Sequence, residues 1–295
     1  GSYAPFTGDF NGDGYDDIFL YGPGSNADAL LWSNGDGSFS QTVSVDGISG
    51  SYKPVVADYD RNGSDDIFWH TNDGDYDNFW WGGPSRRSNG WTANDVSAFG
   101  LQGIYEPFAG DFDGDGYADL FLYGPGGEND EIRWGPPVYT ESVIEQLGKS
   151  LPEPIPGMLF APRATTYSIS GTYEPVAADF DGDGYDDIYW YERYGPGDSL
   201  WWGRSAARRN SFTSSVAPNS GTYRVVTGDF DGDRRFDLLL TDPERNDGEG
   251  ILWGSSNRAF ESDAIETTRG IPFHVFAGDF NGNDRSDVYG YRAGL

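Results

Sequence analysis

The sequence predicts an all-β protein, a β-propeller of about six four-stranded blades with seven as the alternative count. Three observations carry this. A phrase ending in Gly/Ala-Asp-Phe/Tyr, opened in the first four copies by Tyr-x-Pro, runs into an acidic loop six times, at Asp9, Asp58, Asp111, Asp179, Asp229 and Asp279. Forty-three Gly, 17 Pro and 16% aromatic residues describe short strands joined by turns and leave little room for long amphipathic helices. A four-stranded unit of roughly 50 residues cannot bury both of its faces alone, so successive units must stack, and in a closed ring they form a propeller.

The elements follow in order within one unit. Pro175 to Asp179 reads as a first strand, Asp179 to Asp187 as the loop and Asp187 to Tyr191 as a second strand. Gly195-Pro196-Gly197 turns the chain, Asp198 to Gly203 makes a third strand, and Phe212 to Ala217 a fourth. Repeats start near residues 3, 52, 105, 173, 223 and 273, so residues 1–295 are expected to form one domain. The third repeat carries an insertion, residues 136–162, with a short helix-like stretch from Glu141 to Lys149. The sixth reaches only its second strand. A short last blade, strands supplied by a partner or a continuation, and an excerpt from a longer ring all fit that pattern.

Forty-eight acidic side chains against 19 basic ones give a formal charge of −29, which repels phosphate backbones and anionic bilayers and argues against nucleic-acid and membrane-surface roles. There is no Cys, hence no disulfide, thiol nucleophile or thiolate metal site. No run approaches the roughly 20 apolar residues of a membrane span. A basic, apolar leader is also missing, so any secretion signal has been removed or lies outside this sequence.

Each loop places oxygen-bearing side chains at positions 1, 3, 5 and 9, with the backbone carbonyl of position 7 as a further donor. Such a set suits Ca²⁺, and Gly at position 6 permits the reversal that converges the ligands. The sites read Asp9, Asn11, Asp13, Tyr15 and Asp17; Asp58, Asp60, Asn62, Ser64 and Asp66; Asp111, Asp113, Asp115, Tyr117 and Asp119; Asp179, Asp181, Asp183, Tyr185 and Asp187; Asp229, Asp231, Asp233, Arg235 and Asp237; and Asp279, Asn281, Asn283 and Asp287. An EF-hand would need Glu at position 12, where Leu20, Trp69, Leu122, Trp190, Leu240 and Gly290 stand instead. Arg234 replaces the position-6 Gly in the fifth loop, and the sixth has only two charged ligands, so these two are expected to bind more weakly. Four to six Ca²⁺ ions are expected, mainly structural; six would bring the charge from −29 to −17.

The recurring Asp-Phe-Asp-Gly-Asp-Gly-Tyr-x-Asp, placed after a short strand, resembles the FG-GAP/VCBS repeats, the calcium-loop propeller family shared with integrin α-chains. The resemblance covers nearly the whole chain. It implies a loop joining the first and second strands of each blade, and rings of six to eight blades, mostly seven. Tyr123-Gly-Pro-Gly126 and the Leu-Trp-Trp-Gly of 200–203 resemble those of secreted bacterial proteins, which implies an extracellular location.

Trp32, Trp81, Trp134, Trp202 and Trp253 recur once per blade and are expected to pack between sheets. The variable positions are the candidates for ligand binding. Trp69, Trp80, Trp190 and Trp201 would stack on sugar rings, with His70, Tyr191, Arg87 and Arg209 fixing orientation. The alternative for the same residues is that paired Trp widen the core while the Arg pairs neutralise neighbouring Asp. Catalysis is not expected: His70 and His274 lie in different units outside any nucleophile motif, and Glu106, Glu174 and Glu192 have no placed partner. The expected function is a secreted, calcium-stabilised, glycan-binding module for cell-surface recognition, part of a larger secreted protein or assembly. A protein–protein adhesion scaffold is the alternative, and a polysaccharide-acting enzyme ranks behind both.

Overall fold

The computed structural model describes residues 3–24, 27–40, 44–45, 48, 50–72, 77–84, 91, 96–99, 101, 103–126, 129–135, 160, 164–193, 195, 197–204, 212–217, 222–241, 249–265 and 274–291. They form six antiparallel sheets in a ring. Blade 1 is β1 (Ala4–Gly8), β2 (Asp17–Tyr21) and β3 (Asp28–Ser33), with its outer edge split into β4 (Phe39–Ser40) and β5 (Ser44–Val45), both paired to β3. Blade 2 is β6 (Lys53–Ala57), β7 (Asp66–His70), β8 (Asp77–Trp80) and β9 (Val96–Phe99). Blade 3 is β10 (Glu106–Gly110), β11 (Asp119–Tyr123), β12 (Asp130–Arg133) and β13 (Ala164–Tyr167). Blade 4 is β14 (Glu174–Ala178), β15 (Asp187–Tyr191), β16 (Ser199–Trp202) and β17 (Thr213–Val216). Blade 5 is β18 (Arg224–Gly228), β19 (Asp237–Thr241), β20 (Glu249–Trp253) and β21 (Glu261–Ile265). Only β22 (His274–Gly278) and β23 (Asp287–Tyr291) follow, as a two-stranded sheet. The expected count of six or seven four-stranded blades is therefore corrected to five, with a two-stranded sheet between blades 5 and 1, where β22 packs against both β18 and β1. The insertion at 136–162, with its helix-like stretch, lies outside the described residues apart from Phe160.

The strand sequences explain their places. First strands line the axis and pair on one side only, so β1, β6, β10 and β14 tolerate a Pro at their second position. Second strands such as Asp-Ile-Phe-Trp-His and Asp-Ile-Tyr-Trp-Tyr are continuously apolar after their Asp and buried along their whole length, because a neighbouring blade covers each face. Phe121, Ile132 and Trp134 of blade 3 thus meet Ile188, Trp190 and Trp201 of blade 4, while Tyr189, Leu200 and Trp202 turn the other way onto Leu238, Leu240 and Leu252 of blade 5. The core is a set of inter-blade seams. No helix among the described residues is long and apolar enough to cross a membrane.

Backbone links between the acidic loops close the ring. Position 8 of one loop donates its N–H to the position-1 carbonyl of the preceding loop: Asp65 to Asp9 (2.8 Å), Asp186 to Asp111 (2.9 Å), Phe236 to Asp179 (2.9 Å), Ser286 to Asp229 (2.7 Å) and Asp16 to Asp279 (2.9 Å). At four of these junctions the position-8 side chain accepts the N–H of the same position-1 residue, through the carboxylates of Asp65, Asp186 and Asp16 and the hydroxyl of Ser286. Burial pushes Asp16 up to about 7 and Asp65 and Asp186 to about 6. Replacing Asp186 with Ala leaves the Asp111 N–H without its acceptor in a part-buried place and should cost about 1 kcal/mol. Asp186→Asn, which keeps a carbonyl oxygen there, should cost less; urea unfolding midpoints of both variants check the order.

Candidate metal loops and ligand-binding surfaces

Every loop is built on its first Asp. In the fourth, Asp179 Oδ1 accepts the N–H groups of Gly182 (2.7 Å) and Asp183 (3.2 Å), and Oδ2 accepts that of Gly184 (2.8 Å). The side chains at positions 3 and 5 then accept N–H groups two residues on, as Asp181 does from Asp183 and Asp183 from Tyr185. These turns require left-handed backbone at positions 4 and 6. Gly182 and Gly184 supply it at φ 75° and 84°, whereas Arg61, Arg234 and Asp284 adopt it without glycine's freedom, at 60°, 69° and 58°.

The ninth residue has two tasks. Its Oδ2 accepts the backbone N–H of position 2, as Asp66 does from Tyr59 and Asp187 from Phe180. Its Oδ1 accepts the N–H that ends the third strand: Asp17 from Ser33 (2.9 Å), Asp66 from Gly82 (2.7 Å), Asp119 from Gly135 (2.6 Å), Asp187 from Gly203 (2.7 Å) and Asp237 from Gly254 (2.9 Å). A Cβ on Gly203 would stand 2.5 Å from the Asp186 carbonyl oxygen, so glycine is needed there for close approach.

Four loops converge three carboxylates, with oxygens all within 4.8 Å of one another: Asp58, Asp60 and Asp66; Asp111, Asp113 and Asp115; Asp179, Asp181 and Asp187; Asp229, Asp231 and Asp237. All-oxygen donor sets of this density fit a hard divalent cation. The fifth loop converges its three carboxylates despite Arg234. The first and sixth do not form such a triad among the described residues; there the Asn11 and Asn281 amides donate to Asp17 (3.1 Å) and Asp287 (2.7 Å). Of the remaining predicted ligands, Asp9, Asp13 and Tyr15, Ser64, Tyr117, Asp119, Tyr185 and Asp279 with Asn283 keep their loop positions, and Asn62 accepts the Ser64 N–H. Arg235 turns its guanidinium onto Asp233 and the Gly254 carbonyl.

Sequence reasoning missed Arg258. This residue of blade 5 reaches Asp181 (2.8 Å) and Asp183 (2.9 Å) in the fourth loop of blade 4, and its distance along the chain, outside the repeat phrase, left no signal. A second missed set is the Asp that opens the third strand of blades 1, 2 and 3. Asp28, Asp77 and Asp130 accept N–H groups from the second-to-third-strand turn and from the chain leaving the fourth strand, as Asp130 does from Gly124 (2.9 Å) and Ile169 (2.6 Å). Their recurrence at the third-strand start was the available signal.

The aromatic ligand candidates are corrected by burial. Trp69 and Trp190 are 0% and 1% exposed, and His70 and Tyr191 are equally enclosed. His70 is held between Asp77 (2.9 Å) and Asn72 (2.8 Å), and the Tyr191 hydroxyl accepts the Tyr223 N–H. Trp80 and Trp201 are half-buried inside aromatic clusters: Trp80 lies 5.5 Å from Trp69 and 5.4 Å from Trp91, Trp201 5.2 Å from Trp190 and 5.5 Å from Phe212. Trp69 and Trp190 are seam packing with no face open to a sugar, and Trp80 and Trp201 spend most of their surface in the same seams. Arg87 and Arg209 lie outside the described residues. Open space exists elsewhere. A cavity of about 800 Å³ lies on the ring axis beside the loops, bordered by Asp16, Asp65, Asp186, Arg234 and Arg285. A cleft of about 420 Å³ lies at the opposite end of blade 3, between Gly126, Asn129, Asp130 and Ser168–Gly171.

The fold and the loops define a β-propeller whose blades carry acidic, oxygen-rich turns. Comparison with known proteins agrees: residues 9–69 and 179–240 match the FG-GAP-like repeat family. No curated protein matches it. Among solved structures, a lectin of Agrocybe aegerita, described as specifically recognising non-reducing terminal N-acetylglucosamine, is similar over 97% of this chain and 73% of its own, with 16% identity and a TM-score of 0.57. That likeness shows the propeller fold. The biofilm matrix protein Bap1 of V. cholerae matches 90% of this chain and 40% of its own at 14% identity, with a TM-score of 0.35, too low to argue from.

Two predictions follow from the geometry. Truncating Trp201 to Ala opens the seam between blades 3 and 4 and should cost about 2–4 kcal/mol, read as a lowered unfolding midpoint. The second concerns pH. With only protein atoms around them, burial, reinforced by neighbouring carboxylates, pushes Asp17 and Asp187 up to about 8 and Asp66 to about 9. A raised folded-state value stabilises the fold fully below the unfolded value near about pH 4, and the contribution is lost as pH climbs through the folded one. In EDTA the thermal midpoint should therefore fall from about pH 5 to about pH 9; a midpoint that rises over that range contradicts the assignment.

Proposed function

We propose that the chain is a calcium-stabilised, glycan-recognising propeller of a protein that works outside the cell, and that it binds without catalysing a reaction. The observation that carries the reading is the cleft of blade 3, at the opposite end of the sheet from the acidic loops. Asn129, Ser168 and Ser170 are exposed there, offering an amide and two hydroxyls around the half-buried Ile169, while both Asp130 oxygens already accept backbone N–H groups. Neutral donors and acceptors beside one apolar patch suit the hydroxyl and C–H faces of a sugar. A net charge of −29 disfavours anionic glycans, so a neutral sugar on a cell surface or in a matrix is the preferred class. The fold shared with a propeller that recognises terminal N-acetylglucosamine supports the same reading.

Calcium would be held by the four converging triads, where it neutralises crowded carboxylates and stiffens the turns that link one blade to the next. Calorimetric titration should then give four Ca²⁺ per chain with a raised thermal midpoint, and no equivalent at the two Asn-bridged loops. On an array of neutral glycans the calcium-loaded protein should give a signal that EDTA abolishes. Asn129→Ala should weaken that signal at least about tenfold with an unchanged midpoint. A folded, calcium-loaded sample silent across the array would sink the glycan reading and leave the calcium reading standing.

A further inference from the structure

Arg258 joins two blades at a point the repeat does not prescribe. It lies between β20 and β21, where its N–H donates to the Ser255 carbonyl (3.0 Å) and its backbone stands in the left-handed region at φ 62°, an unfavourable setting for a residue with a Cβ. From there the side chain crosses to blade 4. Nε donates to Asp181 Oδ2 (2.8 Å), Nη2 to Asp183 Oδ2 (2.9 Å) and Nη1 to the Thr213 hydroxyl (3.3 Å), while the guanidinium lies 5.9 Å from the centre of the Trp202 ring. Asp181 is one of the three acids that converge in the fourth loop, so the guanidinium is bonded to a candidate metal ligand itself. Two sister loops differ in this respect. The second converges its acids at the same positions, 1, 3 and 9, yet among the described residues no cationic side chain bonds to Asp58, Asp60 or Asp66. In the fifth, Arg235 grips Asp233, which lies outside the converging three.

We infer that Arg258 sets the calcium response of the fourth loop, because this guanidinium of blade 5 and a divalent cation draw on the same carboxylates of blade 4. The inference rests on the calcium reading of the loops. Asp181 Oδ1 already accepts the Asp183 N–H (3.1 Å) and Oδ2 accepts from Arg258, so an ion that takes either oxygen shares it with a donor. A permanent positive charge bonded to a ligand carboxylate repels a second cation there, and with the Asp181 side chain only 3% exposed little water screens the two. The fourth loop therefore takes its ion more weakly than the second. Linkage makes the effect mutual: calcium weakens the hold of Arg258 by the factor by which Arg258 weakens that of calcium. The Arg258 side chain, 39% exposed, has room to turn outward without opening the core. Filling the fourth loop thus releases a polar strut between blades 4 and 5, and the joint between them responds to calcium concentration.

The test is calorimetric titration of Ca²⁺ into the chelator-stripped protein and into Arg258→Met, which keeps an unbranched stem against Trp202 and removes the charge. The variant should bind one of its four ions at least about fivefold more tightly than the parent and the other three unchanged. Adding Asp181→Asn to Arg258→Met should abolish the tightened site, which places it in the fourth loop. In EDTA, Arg258→Met should lower the thermal midpoint, since Asp181 and Asp183 lose their counter-charge, and the rise on adding Ca²⁺ should exceed that of the parent. Arg258→Lys, whose shorter ammonium cannot span both carboxylates, should tighten the same site by a smaller factor; if Arg258→Met does not fold, an Arg258→Lys protein no tighter than the parent overturns the inference. Four ions bound with equal affinity by parent and Arg258→Met overturn it and leave the calcium reading standing. A weaker site in Arg258→Met also overturns it, marking Arg258 as a support that holds the ligands in place. Uptake of no ion by either protein overturns both readings.

Discussion

The structure depends on one repeated contact: the backbone link between position 8 of an acidic loop and position 1 of the loop before it. Blades touch over greasy seams that specify no angle, since apolar packing is non-directional. Paired hydrogen bonds near the axis supply the direction. The same first Asp that receives the link through its backbone organises its own loop through its carboxylate, so loop order and ring closure share a residue. Carboxylate crowding in the loops is the cost of that economy, and it makes four of them candidate cation sites.

Much of this could be read from the sequence, because the loop constrains residue type position by position. The strands of blade 4 fall within a residue or two of where Gly195, Pro196 and the Leu-Trp-Trp-Gly run place them, and four of the six loops bring their acids together. Blade number was less legible. A two-stranded sheet begins with the same phrase as a four-stranded one, and the phrase counts inner strands only.

The aromatic residues misled for a physical reason. Alternation along a strand identifies two faces, and in a sandwich one of them meets water. In a propeller both meet another blade, so Trp69 and Trp190 face away from Trp81 and Trp202 of their own blades and are buried all the same. Variation from blade to blade at these positions reflects the fit of each seam. Contacts such as Arg258 with Asp181 and Asp183 join residues more than 70 positions apart and carry no local pattern.

Ring closure brings Asp16 beside Asp279, two residues 263 positions apart, whereas the strand pairings within each blade join near neighbours in sequence. During synthesis the blades can therefore assemble one after another as they leave the ribosome, but the first keeps an open flank until the sixth sheet arrives. Ile18, fully buried in the finished ring, belongs to that flank. The nascent chain thus carries that apolar flank uncovered while blades 2 to 5 are made. The dense negative charge of the loops, a burden to the folded ring, repels neighbouring nascent chains during that interval.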